Sequence, residues 1–392
     1  MSRLSYMEKL FQSVNVEWKP LGEILVRTKG TNITAGQMKE LHKDGASLKI
    51  FAGGKTIAFV DFKDIPKKDI NTEPSIIVKS RGFIEFDYYD KPFSHKNEMW
   101  SYHSKNKNIN IKFVYYFLKI NEPYFQNLGS RMQMPQISIP DTDKFCIPIP
   151  PLNVQSEIVR ILDNFTELTA ELTAELTAEL HSRKKQYTYY RDKLLTFEEG
   201  QVEWKTLGEV GEVRMCKRIL KEQTSDKGDI PFYKIGTFGK EPNAFISKDL
   251  FNEYRTRYNY PKIGEVLISA SGTIGRAVIF DGRDAYFQDS NIVWIENNES
   301  QVLNKYLFYF YKVAKWDISE GGTILRLYND NLKKTRIPIP SLSVQKHIVT
   351  ILDKFDALTT SLAEGLPCEI ELRQKQYEYY RNLLLTFPQQ EA

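Results

Sequence analysis

The sequence predicts an α+β fold in which two mixed α/β globular domains are separated by two long antiparallel helices, as a pseudo-two-fold tandem repeat. Three observations predict it: an internal repeat, short apolar runs between the repeated blocks, and a helical period after them. The repeat has a constant offset of 190 residues, since Ile-Pro-Ile-Pro begins at 147 and again at 337. The other blocks with this offset are Val-Gln at 154 and 344, Ile-Leu-Asp at 161 and 351, and Lys-Gln-Tyr-x-Tyr-Tyr-Arg at 185 and 375.

Both halves open with Val-Glu-Trp-Lys, at 16 and at 202, and continue with a sequence typical of short strands. In the first half, the apolar runs at 56–60 and 75–78 predict strands, and residues 111–120 predict a helix. In the second half, strands are predicted at 264–268, 277–280 and 291–295, and a helix at 304–313. Gly, Asn, Asp and Pro separate these runs. Each half is therefore predicted to form a mixed α/β globule.

A helix is predicted after each Ile-Pro-Ile-Pro block, with Asn153 and Ser343 as N-caps. Its apolar residues recur at spacings of four and three, which keeps one stripe facing a partner helix. In the first helix the tetrad Thr-Ala-Glu-Leu occurs three times over residues 169–180, and it consists largely of good helix formers. The second helix has Gly-Leu-Pro at 365–367, which predicts a kink or a break.

The two predicted helices are matched in length. A helix from 153 to 197 would be about 67 Å long at 1.5 Å per residue. If the helices pack antiparallel, they hold the two globules at a fixed separation. We therefore expect a target that has two parts.

The composition excludes several classes of protein. A chain of 392 residues can form two or more domains, and a net charge of +4 does not by itself indicate a polyanionic partner. The cysteines at 146, 216 and 368 are far apart in sequence, so we expect neither a disulfide framework nor a zinc site. The histidines have no metal-ligand spacing, and no signal segment or long apolar run occurs. We expect a cytoplasmic protein with no metal and no cofactor of its own.

Taken together, these blocks resemble the specificity subunits of type I restriction–modification systems, in particular the subclass whose spacer is built of Thr-Ala-Glu-Leu repeats. The likeness covers nearly the whole chain. It includes Ile-Pro-Phe-Tyr-Lys-Ile-Gly at 230–236 and Ser-Gly-Thr-Ile-Gly-Arg at 271–276, both typical of target recognition domains in that family. The first half has no segment whose sequence is like Ser-Gly-Thr-Ile-Gly-Arg. The resemblance implies a first target recognition domain at 1–150, a spacer helix at 151–199, a second domain at 200–340 and a C-terminal helix at 341–392.

The resemblance also implies a function. In this family each recognition domain binds one half of a bipartite double-stranded DNA target, and the helices set the gap and dock the modification subunits. The chain is then a non-catalytic DNA-recognition subunit whose partners are two modification (methyltransferase) subunits and, in the full complex, two restriction (motor–nuclease) subunits. S-adenosylmethionine, ATP and Mg²⁺ are expected on those partners.

Candidate DNA contacts are basic and small polar side chains, because these pair with phosphates and base edges. The loop at 271–276 is compatible both with a tight β-turn and with a close approach to a phosphate. The candidates are Lys79, Arg81, Lys96, Lys105, Lys107, Arg131, Lys217, Arg218, Lys234, Arg255, Arg257, Ser271, Thr273 and Arg276. A second set is predicted to pack helix on helix or to meet a partner subunit, namely Ile161, Phe165, Tyr187, Tyr190, Ile351, Phe355, Tyr377 and Tyr380.

Two other functions stay open at this point. One is a non-catalytic helical scaffold that holds two protein-binding domains, and salt-dependent binding to duplex DNA would argue against it. The other is a nuclease or methyltransferase that acts alone. The sequence disfavours this, because it has no Asn-Pro-Pro-aromatic or Asp-Pro-Pro-aromatic methyltransferase signature.

Overall fold

A computed structural model describes residues 10, 14–54, 56–130, 134–318, 325–361 and 363–387. The chain forms two compact units, and each is described by itself. Unit 1 comprises Met1–Ala174 and Glu371–Ala392, and unit 2 comprises Glu175–Ile370. The domain bounds drawn from the sequence remain a prediction, because the units group segments by packing and divide the helices between them.

Unit 1 contains two larger sheets and a two-stranded ribbon. One sheet has the strand order β2-β8-β5-β6, a second has β4-β3-β7, and β1 pairs with β9 in the ribbon. The strands are β1 Glu17–Pro20, β2 Leu25–Thr28, β3 Leu48–Phe51, β4 Ile57–Val60, β5 Ser75–Lys79, β6 Glu85–Tyr89, β7 Phe93–His95, β8 Trp100–Ser104 and β9 Cys146–Ile149. The helices of this globule are α1 Leu21–Ile24, α2 Ala35–Leu41, α3 Ile111–Ile120, α4 Glu122–Gly129 and α5 Ile139–Asp143, and α6 Leu152–Leu195 follows.

Unit 2 repeats this topology strand for strand. Its sheets have the orders β11-β17-β14-β15 and β13-β12-β16, and β10 pairs with β18. The strands are β10 Glu203–Thr206, β11 Glu212–Arg214, β12 Ile230–Tyr233, β13 Phe245–Ile246, β14 Val266–Ser269, β15 Ala277–Ile279, β16 Tyr286–Phe287, β17 Ile292–Glu296 and β18 Arg336–Ile339. The helices are α7 Leu207–Val210, α8 Lys248–Arg257, α9 Asn304–Tyr311, α10 Asn329–Lys334, α11 Leu342–Thr360 and α12 Leu366–Leu384, the last of which lies mainly in unit 1. The tandem repeat predicted from the sequence is thus a repeat of folds.

The long helices agree with the sequence prediction except at their first residues. Helix α6 is continuous through all three tetrads. It begins at Leu152 and α11 begins at Leu342, so Asn153 and Ser343 lie inside the first turn and do not cap it. The position before each helix is held by Pro151 and Ser341, whose carbonyls accept the N–H groups of Gln155 and Gln345.

The predicted break near Gly365 is present between α11 and α12. A Cβ atom on Gly365 would lie 2.5 Å from the carbonyl oxygen of Ala357, so only glycine fits where the chain folds back on the end of α11. Pro367 then lies in the first turn of α12, where its missing N–H has no intrahelical partner to lose.

A buried glutamine joins each globule to its own helix and explains the repeated Val-Gln. The side chain of Gln155 donates to the carbonyls of Asn108 and Pro150 at 3.1 and 2.7 Å and accepts the N–H of Asn110 at 2.8 Å. Gln345 makes the same three bonds in unit 2, with Gln301, Pro340 and Leu303. Both glutamines are fully buried.

The repeated Ile-Leu-Asp supplies a second joint. Asp163 accepts hydrogen bonds from the Lys112 ammonium at 2.8 Å and from the Tyr116 hydroxyl at 2.6 Å, and both donors lie on α3. In unit 2, Asp353 accepts from Lys305 and Tyr309 of α9 at 2.6 and 2.7 Å. Each globule is therefore fixed to its helix by one carboxylate and one amide.

Candidate nucleic-acid interface

The loop at 271–276 is the tip of the hairpin formed by β14 and β15 in unit 2. Gly272 and Gly275 have φ of +66° and +83°, and a Cβ on Gly275 would lie 2.5 Å from Nε1 of Trp316. The Arg276 guanidinium donates to the Phe238 carbonyl at 3.0 Å. The turn conformation and packing thus account for these glycines and for Arg276, while Thr273 is exposed at the tip.

Beside this tip lies a cleft of about 350 Å³, which we call the unit 2 cleft. The Ser271 hydroxyl donates to Oδ1 of Asn291 at 2.8 Å, and Asn291 lines the cleft, so tip and cleft are adjacent. Ser290, also in the lining, has φ of +54°, a conformation that non-glycine residues seldom adopt and that often marks a functional segment. The lining comprises Arg218, Ile219, Leu220, Lys221, Thr224, Phe232, Lys234, Gln288, Asp289, Ser290 and Asn291.

The unit 2 cleft is electropositive. Its lining has three cations, Arg218, Lys221 and Lys234, and one carboxylate, Asp289. Arg218 Nε pairs with Oδ2 of Asp289 at 2.9 Å, and its side chain is 66% exposed. Neither lysine has an ion pair with any residue that the structure describes. A concave surface with free ammonium groups and neutral amides suits phosphate and base contacts together.

Three other predicted residues of unit 2 do not line this cleft. The Lys217 ammonium lies 5.2 Å from the ring centroid of Tyr258. Arg255 pairs with Asp284 at 3.2 Å, and Arg257 pairs with Glu253 one helical turn away at 2.7 Å. The structure therefore places Arg218, Lys234, Ser271 and Thr273 together at the tip and the cleft. The other three basic residues lie elsewhere and make the contacts just described.

Unit 1 has the equivalent hairpin tip, at residues 80–84 between β5 and β6. Gly82 has φ of +76° and donates its N–H to the Pro135 carbonyl at 2.8 Å, just as Gly272 donates to Leu325 at 3.3 Å. The first half therefore has an equivalent tip, although its sequence lacks the wording found at 271–276. Gly-x-Ile occurs at 82–84 and at 272–274, with the same offset of 190 as the two Ile-Pro-Ile-Pro blocks, and this signal could have revealed the equivalence.

Two predicted residues of unit 1 lie at or near this tip. Arg81 is exposed and has no ion pair within the described ranges. Lys96 occupies the place that Gln288 has in unit 2, since their N–H groups donate to Phe51 and Tyr233 at 3.0 and 2.9 Å. Its ammonium pairs with Glu98 at 2.7 Å. The basic side chain at this position in unit 1 thus replaces a neutral amide in unit 2.

Lys79 is only 7% exposed, and its ammonium lies 2.5 Å from Glu85 and 2.8 Å from Asp87. Burial lowers the pKa of Lys79, but the hydrogen bonds that its ammonium donates to Asp87 and Glu85 outweigh this effect, so the pKa is raised overall. This geometry argues against direct DNA contact, because the charge is already compensated inside the base of the hairpin.

The remaining predicted residues of unit 1 lie elsewhere. Lys105 and Lys107 follow the end of β8 that is remote from the tip, because Trp100 at its other end pairs with Val78. Lys105 donates to the Glu23 carbonyl at 3.1 Å, and both lysines are exposed. Arg131 lies outside the described residues.

Comparisons with known proteins identify the family. The sequence model described as type I restriction modification DNA specificity domain matches residues 15–182 and 200–372. The chain belongs to this family. A type I restriction enzyme specificity subunit from Haemophilus influenzae is 49% identical, covering 98% of each chain. The EcoR124I/EcoR124II specificity subunit from Escherichia coli is 36% identical over 100% of this chain and 99% of its own length.

Solved structures show the same fold at low identity. A chain from a study of complex assembly and conformational transition in a type I restriction–modification system has a TM-score of 0.64 and 14% identity, covering 94% of this chain and 96% of that one. The HsdS subunit from Thermoanaerobacter tengcongensis has a TM-score of 0.53 with the same identity and coverage. The family match and the relative from Escherichia coli, rather than these structures, make this specificity subunit a non-catalytic DNA-recognition component.

Aromatic residues of the repeated blocks connect the helices of this specificity subunit within each unit. In unit 1, the rings of Phe165 and Tyr380 are 5.8 Å apart, and Thr166 and Tyr377 share a hydrogen bond of 3.1 Å. In unit 2, Phe355 lies 5.8 Å from Tyr190, in a stacked geometry, and 6.4 Å from Tyr187. Ile161 and Ile351 are half-buried on the same helices.

Two further properties concern the described part of the specificity subunit. It contains no group of three or more His, Cys, Asp or Glu side chains that could hold a metal ion. Among its helices, none is both long enough and apolar enough to cross a lipid bilayer.

Proposed function

We propose that the two recognition domains each bind one half of a bipartite double-stranded DNA target through a hairpin tip and the adjoining basic surface. The observation that carries this proposal is the recurrence of one tip, at Gly82 and Gly272, in two globules of identical strand order. Unit 2 adds a cleft that offers free lysines and amide groups. The side chains at equivalent positions differ, as Arg81 against Ser271 and Lys96 against Gln288, so the two domains would read different half-sites.

We propose further that the chain belongs to the subclass whose spacer is made of Thr-Ala-Glu-Leu repeats, and that the helices set the gap between half-sites. Each tetrad adds about 6 Å of helix, whereas a base pair advances the DNA by roughly 3.4 Å. The continuity of α6 through residues 169–180 supports a rigid spacer.

The partners are proposed as two modification subunits docked on the helices, with two restriction subunits in the complete enzyme. One solved structure with the same fold comes from a study of the complex assembly of a type I restriction–modification system, and this supports the binding of partner subunits. S-adenosylmethionine, ATP and Mg²⁺ would be bound by those partners. This chain would contribute the DNA contacts and the geometry.

The deciding experiment is to co-express the chain with its modification subunit in a host without adenine methylation and to map methylated adenines by single-molecule sequencing. We expect one two-part motif with a fixed unspecified gap. Expression of either chain alone is the matched control and should give no methylation. A purified stable complex that methylates nothing would contradict the proposal and would favour a scaffold for two protein-binding domains.

A further inference from the structure

Unit 1 presents an aromatic side chain at the hairpin tip where unit 2 presents a small polar one. Phe83 is 65% exposed, compared with 46% for Phe62, another exposed phenylalanine of the same unit. Thr273 is the equivalent residue in unit 2, because it follows Gly272 as Phe83 follows Gly82. A single exposed ring is common on protein surfaces, so the exposure of Phe83 carries weight only together with its place at the hairpin tip and its neighbours.

The turn that carries Phe83 is fixed on both sides. The Gly82 N–H donates to Pro135 at 2.8 Å, and the Ser80 carbonyl accepts the N–H of Ile137 at 3.0 Å. The Ser80 hydroxyl donates to the Glu98 carbonyl at 2.9 Å, and the next side chain, Ile84, is almost fully buried. The ring is therefore held out from an anchored tip, which lowers the entropy lost when it inserts into a ligand.

The surroundings of Phe83 indicate nucleic acid as the ligand. Arg81, two residues earlier, is exposed and has no ion pair with a described residue. Lys96 lies in the neighbouring segment, whose Glu98 carbonyl binds Ser80, but its ammonium pairs with the Glu98 carboxylate at 2.7 Å, so Arg81 is the cation that remains for a ligand. A protruding ring beside an exposed guanidinium fits a duplex, because the cation binds a phosphate while an apolar wedge enters between base pairs and unstacks them.

We propose that Phe83 is a wedge that inserts at one base step of the half-site bound by unit 1, and that unit 2 binds its half-site without such a wedge. This inference rests on the proposed function. It makes Phe83 a specificity-determining residue, since flexible steps unstack more readily than stiff ones. The two half-sites would then differ in how they are read: one partly through deformability, the other through direct contacts at the exposed Thr273 and the unit 2 cleft.

The test uses the chain assembled with its modification subunit and duplexes that carry the mapped target. 2-Aminopurine, whose fluorescence rises when it is unstacked, replaces one base at a time in both half-sites. With the unchanged complex we expect a rise at one step of one half-site. Phe83→Ala should abolish the rise and weaken binding by about 5- to 150-fold, the range of one base–aromatic stacking contact. Phe83→Trp should retain the rise.

Phe62→Ala is the matched control, because it removes another exposed phenylalanine of unit 1, and it should change neither signal. The inference is overturned if no step responds in a complex that binds its target, or if Phe83→Ala keeps the fluorescence rise. It is also overturned if Phe83→Ala prevents assembly with the modification subunit, which would make Phe83 a protein contact. A failure of the proposed function is recognised separately, because the unchanged complex would then bind no bipartite target.

Discussion

Replacing Gln155 by leucine should destabilise unit 1 while leaving unit 2 intact. Leucine has a similar size but no polar atoms, so the substitution removes all three hydrogen bonds of the side chain. The N–H of Asn110 and the carbonyls of Asn108 and Pro150 then lose partners that now lie at 2.8, 3.1 and 2.7 Å. Because Gln155 is fully buried, water cannot take its place without opening the joint.

The magnitude follows from these three groups. Asn108 is exposed, so water can satisfy its carbonyl, whereas Asn110 is half-buried and Pro150 is buried. A buried polar group without a partner costs about 1–3 kcal/mol, so these two groups cost about 4 kcal/mol at the middle of the range. Burying the leucine side chain returns about 2 kcal/mol. The expected loss in the free energy of unfolding of unit 1 is therefore about 2 kcal/mol, which corresponds to roughly 30-fold faster exchange of amides that require global unfolding.

Hydrogen exchange measured by mass spectrometry can separate the two units. The reporter for unit 1 is β5, where Ile76, Ile77 and Val78 are fully buried, and β14 is the reporter for unit 2. Gln345→Leu is the mirror experiment and should accelerate exchange in β14. Gln374→Leu, at an exposed glutamine, is the matched control and should affect neither. An acceleration of less than about tenfold in β5 for Gln155→Leu would refute the reasoning.

Three further predictions concern the spacer, the cleft and pH. Deleting one tetrad, residues 173–176, should shorten the tolerated gap between the two half-sites by one or two base pairs. The deletion removes about 6 Å of helix, and each base pair spans roughly 3.4 Å; mapping of methylated adenines measures the gap. Lys234→Ala should weaken DNA binding similarly for all sequences and reduce the slope of log K against log salt by about 1, measured by titration. Burial lowers the pKa of His95, so the folded state holds fewer protons than the unfolded state. The stability of unit 1 should therefore be complete above the unfolded pKa of about 6.5 and fall as the pH drops below it, in thermal melts from pH 7.5 to 5.

Each of these has a control. Two altered half-sites, or an unchanged gap, after the tetrad deletion would contradict the spacer role. Lys227→Ala, an exposed lysine outside the lining of the unit 2 cleft, should leave the salt slope unchanged. His95→Gln should flatten the pH dependence, whereas His42→Gln should not, because the His42 side chain is 41% exposed. A flat profile in the unchanged chain would show that His95 does not govern it.

The sequence predicted those features that depend on local pattern. The helix predicted at 111–120 is α3, the break at 365–367 is present, and the repeated blocks mark equivalent elements of the two units. The order of strands could not be derived, because it depends on pairing between distant segments such as β2 and β8. The register of the β5–β6 hairpin could not be derived from the sequence either. This register places Glu85 and Asp87 on the facing strand, where they neutralise the charge of Lys79.

The candidate site was predictable only as a set of residue types. Arg255 and Arg218 look alike in sequence, yet one pairs with Asp284 on a helix surface and the other lines the cleft. The equivalence of the two tips was hidden because only Gly and Ile are kept between 81–84 and 271–274. Side chains that make specific contacts differ between the two copies, and this difference weakens the pattern that would reveal them.

The pairing of β1 with β9, and of β10 with β18, brings the first and last segments of each globule side by side. Glu17 lies opposite Ile149, and Glu203 lies opposite Ile339, within the blocks that are common to both halves. The segment between these strands thus forms an insert, a cassette whose two ends lie next to each other. A genetic crossover in the shared blocks would exchange one cassette for another. The exchanged cassette would pack on the same long helix if it kept a lysine and, four residues later, a tyrosine that bind Asp163 or Asp353. Helices α3 and α9 both have this pair.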